Sequence, residues 1–267
     1  MEVIVKEITY SHRGCIHLYT IGDEHGGTKF CAEAKLREKI EQIKNDRVGY
    51  WVGMGDKCDF ITPSDPRWDV GIIADWVHPD NIAEDQTQWY CDIYKPIAKQ
   101  CIGLLEGNHE DAIRIHNHVD VQTNICNRLG VPNLGYSAWV RLKLNARGGN
   151  TTYIVDAVFT HGAGWAITKG AKMNRLERFM DAFNARIYAM GHIHDIILET
   201  SKAYLDLDKN NNIKQRVKVG AITGCWFRAY SKGLRASYAE KRNYPPTEIG
   251  CPVFTIYPDK DILKVEG

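Results

Sequence analysis

Short apolar runs alternate with helical patterns over the first two-thirds of the chain. Cys15 to Ile21 reads as a strand and Val48 to Met54 as a second. Between them Phe30, Ala34, Ile40 and Ile43 recur near helical spacing, which predicts a helix over Thr28 to Asn45. A long connection rich in Pro, Asp and Trp follows (Pro63, Asp65, Pro66, Trp68). Asn81 to Lys99 reads as helical with a stop near Pro96, and Cys101 to Glu106 as a third strand. Val119 to Leu129 is a further helix, ended by Gly130 and Pro132. Ala138 to Leu144 and Thr152 to Thr160 flank an Arg147-Gly148-Gly149-Asn150 turn and read as a hairpin. Lys172 to Phe183 reads as a helix and Ala185 to Met190 as a strand. From His194 onward the pattern is β-rich, with a polar turn at Asp206 to Asn212 and a late strand at Val253 to Tyr257. Alternating helices and strands followed by strands predict two packed sheets with helices outside.

The 267 residues suit one large domain or a domain with a modest appendage, and we expect a single domain over 1–267 with an insert or lid at about 224–251. A hydrophobic fraction of 44% and a charged fraction of 25% are ordinary for a globular protein. A net charge of +1 supplies no global basic field, which disfavours a pure nucleic-acid-binding module. None of the eight cysteines forms a C-x-x-C pair, so they read as buried free thiols in a reducing compartment rather than a zinc site. Met1 to Tyr10 alternates apolar and charged residues, unlike a signal peptide. No apolar run approaches the roughly 20 residues that span a bilayer. The expectation is a cytoplasmic protein without a membrane partner.

Five polar clusters each begin where an apolar strand ends: Gly22-Asp23-Glu24-His25, Gly55-Asp56-Lys57-Cys58-Asp59, Gly107-Asn108-His109-Glu110, His161-Gly162 and Gly191-His192-Ile193-His194. Sites in α/β sheets form at the carboxyl ends of strands, so five such clusters can converge. Asp23/His25 and His192/His194 share an i, i+2 spacing, which in extended chain points both side chains the same way. Imidazole, carboxylate and amide oxygens together suit a divalent transition metal. Seven such donors exceed what one tetrahedral ion needs, and two ions sharing a carboxylate are the economical solution.

In this order, D-x-H, G-D-x-x-D, G-N-H-E, H-G and G-H-x-H resemble the calcineurin-like metallophosphoesterases, over residues 22 to 194. The layout is similar to stand-alone, phage-type members. The resemblance implies an α/β (α+β) fold, a four-layer αββα sandwich of two mixed sheets flanked by helices. It implies two divalent ions, Mn foremost, with Fe, Zn or Ni as alternatives. Asp23, His25 and His194 would hold one ion, Asn108, His161 and His192 the other, with Asp56 as the bridge. His109 would contact the phosphate or protonate the leaving group, and Asp59 would orient it. The activity implied is phosphoester hydrolysis by in-line attack of a metal-bridging hydroxide.

The protein phosphatases of this family carry an arginine just before G-N-H-E and another just after G-D-x-x-D. Here Glu106 and Phe60 stand at those places, which disfavours that subclass. About 73 residues follow His194, too few for the large DNA-facing cap of the break-repair nucleases once the second sheet is completed. We therefore expect a phosphodiesterase, with nucleic acid or nucleotide as substrate. The alternatives are a phosphomonoesterase of the same fold or, in a different class, a non-catalytic metal-binding scaffold. The segment Trp226 to Tyr244 interleaves basic and aromatic residues, which suits phosphate contacts and base stacking. Arg228, Arg235 and Trp226 are its candidate substrate contacts. Glu110 reads as a support residue and Asp195 as a turn residue. His12, His17, His78, His116 and His118 lie outside every motif.

Overall fold

The computed structural model describes residues 1–164, 166–208 and 210–267. Among the described residues, eleven strands form two mixed sheets. One has the order β1 (Glu2–Tyr10), β5 (Ser137–Ala146), β6 (Thr152–Thr160), β7 (Ile187–Met190), β9 (Ile213–Thr223), β8 (Ile196–Leu207). The other runs β11 (Ile262–Glu266), β10 (Val253–Tyr257), β2 (Ile16–Ile21), β3 (Gly49–Gly53), β4 (Cys101–Leu104). Their inner faces bury one apolar core in which Leu18, Val52 and Phe254 meet Val140, Phe159 and Val219. Helices α1 (Glu33–Asn45), α2 (Ile82–Tyr94), α3 (Asn108–Asn117) and α4 (Val121–Leu129) lie on the outside of the five-stranded sheet, where Leu36, Tyr90, Ile113 and Ile125 join one cluster with Trp51. Helix α5 (Lys169–Ala182) covers the other sheet through Leu176 and Met180, packed with Val158 and Tyr188. The expected four layers, helix–sheet–sheet–helix, are therefore present.

Two helices differ most from the pattern reading, and β1 and β11 are strands beyond those it names. The first helix starts at Glu33, not Thr28. The residues before it are held extended: Thr28 bridges Ile73, Cys31 bridges Phe227, and Ala32 N–H donates to the Trp226 carbonyl. These tertiary hydrogen bonds outweigh the helical spacing of Phe30. Helix α3 was not anticipated, because its apolar residues (Ala112, Ile113, Ile115) form no stripe and Ile115 is exposed. The polar turn expected over Asp206 to Asn212 joins β8 to β9, with Asp208 accepting the N–H groups of Asn210 and Asn212; Lys209 lies outside the described residues. A short helix, α6 (Tyr238–Lys241), lies within the 224–251 segment. No described helix is long and apolar enough to cross a membrane.

Strand direction places the chemistry. β2, β3 and β4 are mutually parallel, as are β6 and β7. The carboxyl ends of all five lead into the polar clusters. A polar clamp closes the opposite end of the sandwich. Asp261, just before β11, accepts hydrogen bonds from Tyr153 (2.7 Å), Lys214 (2.8 Å) and Arg186 of the other sheet. Burial alone would raise the Asp261 pKa, but these donors hold it well below the usual carboxylate range. A depressed carboxyl contributes stability above its unfolded value of about 4 and loses it as pH falls toward the folded value. Asp261→Asn, which keeps the left-handed backbone of this position accessible, should cost about 1 kcal/mol at pH 7 after solvent screening. In thermal melts the gap to wild type should narrow below about pH 4.

Candidate metal centre

Each of the five strand ends delivers its donors to one hollow between the sheets. Asp23, His25, Asp56 and His161 are buried, whereas Asn108, His192 and His194 are partly exposed to the cavity outside. Two groups form. In one, His25 Nε2 lies 3.1 Å from His194 Nε2, which is 3.3 Å from an Asp23 carboxylate oxygen. In the other, His161 Nε2 lies 3.0 Å from Asn108 Oδ1 and 3.3 Å from Asp56 Oδ2, with His192 alongside. Asp56 also falls within ligand distance of His25 and His109, so it stands between the two groups.

The backbone carries this convergence differently from the extended-chain expectation. Asp23, His25, Asp56, His192 and His194 all adopt positive φ (53°, 49°, 51°, 71° and 57°). The i, i+2 pairs therefore do not point alike because of a strand pleat. They are aimed by left-handed turns, each costing on the order of 1 kcal/mol or more, at a place where side-chain direction has functional consequence. Close approach of the strand ends adds a second constraint. A Cβ on Gly107 would stand 2.2 Å from the Asp56 nitrogen, and one on Gly55 would stand 2.6 Å from His161 Nδ1.

Surrounding groups set the imidazole tautomers. His161 Nδ1 is 2.8 Å from the Met54 carbonyl, so it carries the proton and leaves Nε2 facing Asp56. His25 Nδ1 is 2.9 Å from the Asp59 carboxylate, leaving Nε2 facing His194. Backbone N–H of His192 donates to both Asp23 oxygens, at 3.2 and 2.9 Å. Glu110, buried as a support residue, accepts N–H bonds from Asp56 (3.0 Å), Lys57 (2.8 Å) and Gly107 (2.7 Å). Its charge is faced by the buried Lys57 ammonium at 3.8 Å.

The electrostatics favour a cation. Burial works to lower the His161 pKa, yet the adjoining Asp56 carboxylate pushes it up to about 9. Burial works against the charged form of Asp56, but His161 and His109 hold its pKa well below the ordinary range. Positive charge is thus required beside these carboxylates. His192 Nδ1 is buried with no hydrogen-bond partner among the described residues, and two imidazole nitrogens confront each other at 3.1 Å. Imidazole nitrogens aimed at a shared space in this way fit a divalent ion, and the mixed imidazole, carboxylate and amide donors fit Mn, Fe or Zn.

Asp59 is placed differently from the expected carboxylate–His109 pairing. Its carboxylate bonds His25, and its nearest approach to His109 Nδ1 is 3.9 Å. The Asp59 backbone carbonyl takes the His109 Nδ1 hydrogen bond instead. His109 N–H donates to Asp56 Oδ1 at 2.9 Å, and its Nε2 faces outward, 3.5 Å from Arg67 Nη1.

Of the expected substrate contacts, Trp226 is 2% exposed within the helix-side core and has no ring face to offer a ligand. Arg235 turns to Asp69 at 3.1 Å, and neither it nor Arg228 lines the cavity over the metal centre. Tyr238, Arg242 and Tyr244 of the same segment do. Phe227 packs beneath His25 and His194, with ring centroids 5.3 and 6.0 Å away. Arg67 also lines this cavity, and sequence reasoning passed over it. It sits in an aperiodic connection where no spacing marks it. Asp195 is buried against Lys172 at 2.7 Å. His17 pairs with Asp46, His78 with Asp85 and His12 with Asp259, all away from the centre.

No protein-family model matches the sequence, and no curated protein matches it. Solved metallophosphoesterases are among the structures it resembles. The metallophosphoesterase from Sphaerobacter thermophilus is 11% identical, covers 95% of this chain and 88% of its own, and has a TM-score of 0.42. A predicted phosphoesterase from Streptococcus pneumoniae is 13% identical over 91% of this chain and 84% of its own, at 0.36. Vps29 from Entamoeba histolytica, solved with Zn²⁺, is 12% identical over 94% and 97%, at 0.37. Likenesses this distant do not decide chemistry, which rests on the donors described above.

Asp59→Ala should leave His25 unsupported. Metal affinity, measured by competition with a chromogenic chelator, should fall about tenfold to a hundredfold with the fold retained by circular dichroism. An unchanged affinity would show that His25 needs no such support.

Proposed function

We propose that this chain is a dinuclear metal-dependent phosphoester hydrolase that acts on diesters, with nucleic acid or a nucleotide as substrate class. One observation carries the reading. Seven donors from five strand ends meet in one hollow, and that hollow opens beside His109 and Arg67 into a cavity of about 330 Å³. Divalent ions held there, by Asp23, His25 and His194 on one side and Asn108, His161 and His192 on the other with Asp56 between, would activate water and neutralise phosphoryl charge.

The chain's own groups do the rest. Donation of the His109 Nδ1 proton to the Asp59 carbonyl fixes the ring, so that Nε2, which accepts from Arg67 here, faces the substrate space and, in the doubly protonated ring, can give a proton to the departing oxygen. The Asp56–His109 N–H bond ties that acid to the carboxylate between the two groups. Arg67, held by Asp65 at 2.8 Å and about one-third exposed, adds a permanent positive charge next to the acid. The two arginine positions of the protein phosphatases remain unfilled, which supports a diester over a phosphoprotein. Arg242, Tyr238 and Tyr244 on the far wall support a substrate with an aromatic base.

The test is turnover of bis-p-nitrophenyl phosphate and of a nucleic-acid and nucleotide panel with Mn²⁺. Asp56→Ala and His161→Ala should each lower kcat/KM by about a hundredfold or more and reduce bound metal. His109→Gln should lower kcat by about 10²- to 10⁴-fold with metal content unchanged. Turnover indifferent to all three changes would end this reading.

A further inference from the structure

The cavity over the metal centre is one of two hollows that meet at the site. A second, of about 260 Å³, runs along the start of α3 and the 60–67 loop, lined by Thr62, Ser64, Ala112, His116 and Asn117. Among the described residues the two share only Arg67 and His109 in their linings. Arg67 is therefore the partition, and the proposed acid stands at the passage between them. None of the seven cage residues lines the second hollow.

The walls differ in chemistry. The larger hollow has an apolar and aromatic side made by Tyr238, Tyr244, Pro245 and Pro246, with Arg242 among them. The smaller is mixed: Phe60, Pro66, Ala112 and Ile113 line it beside a polar edge, where Thr62 Oγ1 lies 2.9 Å from Ser64 Oγ and 3.5 Å from Asn117 Oδ1 and His116 is exposed. Asp65 at its rim is already paired with Arg67, and the hydroxyl and amide groups of the polar edge suit neutral hydroxyls.

We propose, building on the phosphoesterase reading, that the substrate is a diester laid across Arg67 with both arms bound. The retained nucleoside lies against Tyr238, Tyr244 and Pro246. The leaving alcohol, a sugar-like group rich in hydroxyls, lies in the Thr62–Asn117 hollow. In-line geometry fixes this assignment: water enters from the cage side, so the leaving oxygen points away from it, past His109. The water oxygen bonds to phosphorus, the phosphorus–oxygen bond to the leaving arm breaks with its electron pair, and His109 protonates that oxygen. The proton lost by the water passes to solvent and His109 is reprotonated from solvent, so one water and one diester give an alcohol, a monoester and a proton.

The experiment narrows the smaller hollow. Ala112→Phe, and separately Ser64→Trp on the exposed opposite wall, are compared with wild type on two substrates sharing one retained arm: a dinucleoside monophosphate and the methyl ester of the corresponding nucleoside monophosphate. The ratio of their kcat/KM values should fall tenfold or more in both variants, with metal content unchanged. Calorimetric titration of the dinucleoside monophosphate in a His109→Gln background should show its binding weakened about tenfold by either change, while inorganic phosphate binds as before. An unchanged ratio with turnover intact overturns the two-arm assignment alone. Absence of phosphoester turnover by the wild-type protein with any divalent ion overturns the hydrolase reading and this assignment together.

Discussion

Asp23 and Asp56 are buried side by side where the carboxyl edges of the two sheets meet, and much of the structure answers to their charge. Four imidazoles and an amide are turned toward them, backbone N–H groups of His192 and His109 bond them, and Glu110 and Lys57 brace the loop beneath. Buried carboxylates without compensation are costly. The arrangement is satisfied by cations in the shared space, or in their place by a proton on His161. The same requirement accounts for five left-handed residues gathered in one place, a backbone strain that only a tightly determined surrounding sustains.

The sandwich supplies that surrounding. Parallel β2, β3 and β4 place three loops side by side, and parallel β6 and β7 bring two more from the facing sheet. The inter-sheet core fixes their separation, and glycines at 55 and 107 let the loops touch. At the opposite end, Asp261 pins the sheets together through Tyr153, Lys214 and Arg186. Rigidity is thus distributed to both ends, while the groups that would meet substrate stand on the less regular 60–80 and 224–251 segments.

Those segments divide the labour of the site. In the function proposed here the cage would hold the ions and activate water, a chemistry generic to phosphoesters. Selectivity would then fall to the rim, where Arg67 separates an aromatic-walled hollow from one with a hydroxyl- and amide-bearing edge. Asp59 links rim and cage: its carboxylate aims His25 inward, and its carbonyl aims His109 outward.

The sequence by itself determined most of the strands and helices and the seven convergent donors. Each of these is announced locally, by an apolar run or by a glycine-flanked polar cluster at a strand end. The start of α1 and the existence of α3 were not legible, because hydrogen bonds to Trp226 and Ile72, not helical spacing, set the chain there, and because α3 has no apolar stripe. The side-chain partner of Asp59, the burial of Trp226 and the place of Arg67 were decided only in three dimensions. The first is a choice between two histidines an ångström apart in reach. The second depends on which side of a strand end faces the core. The third depends on where a long aperiodic loop folds back, for which no residue spacing carries a signal.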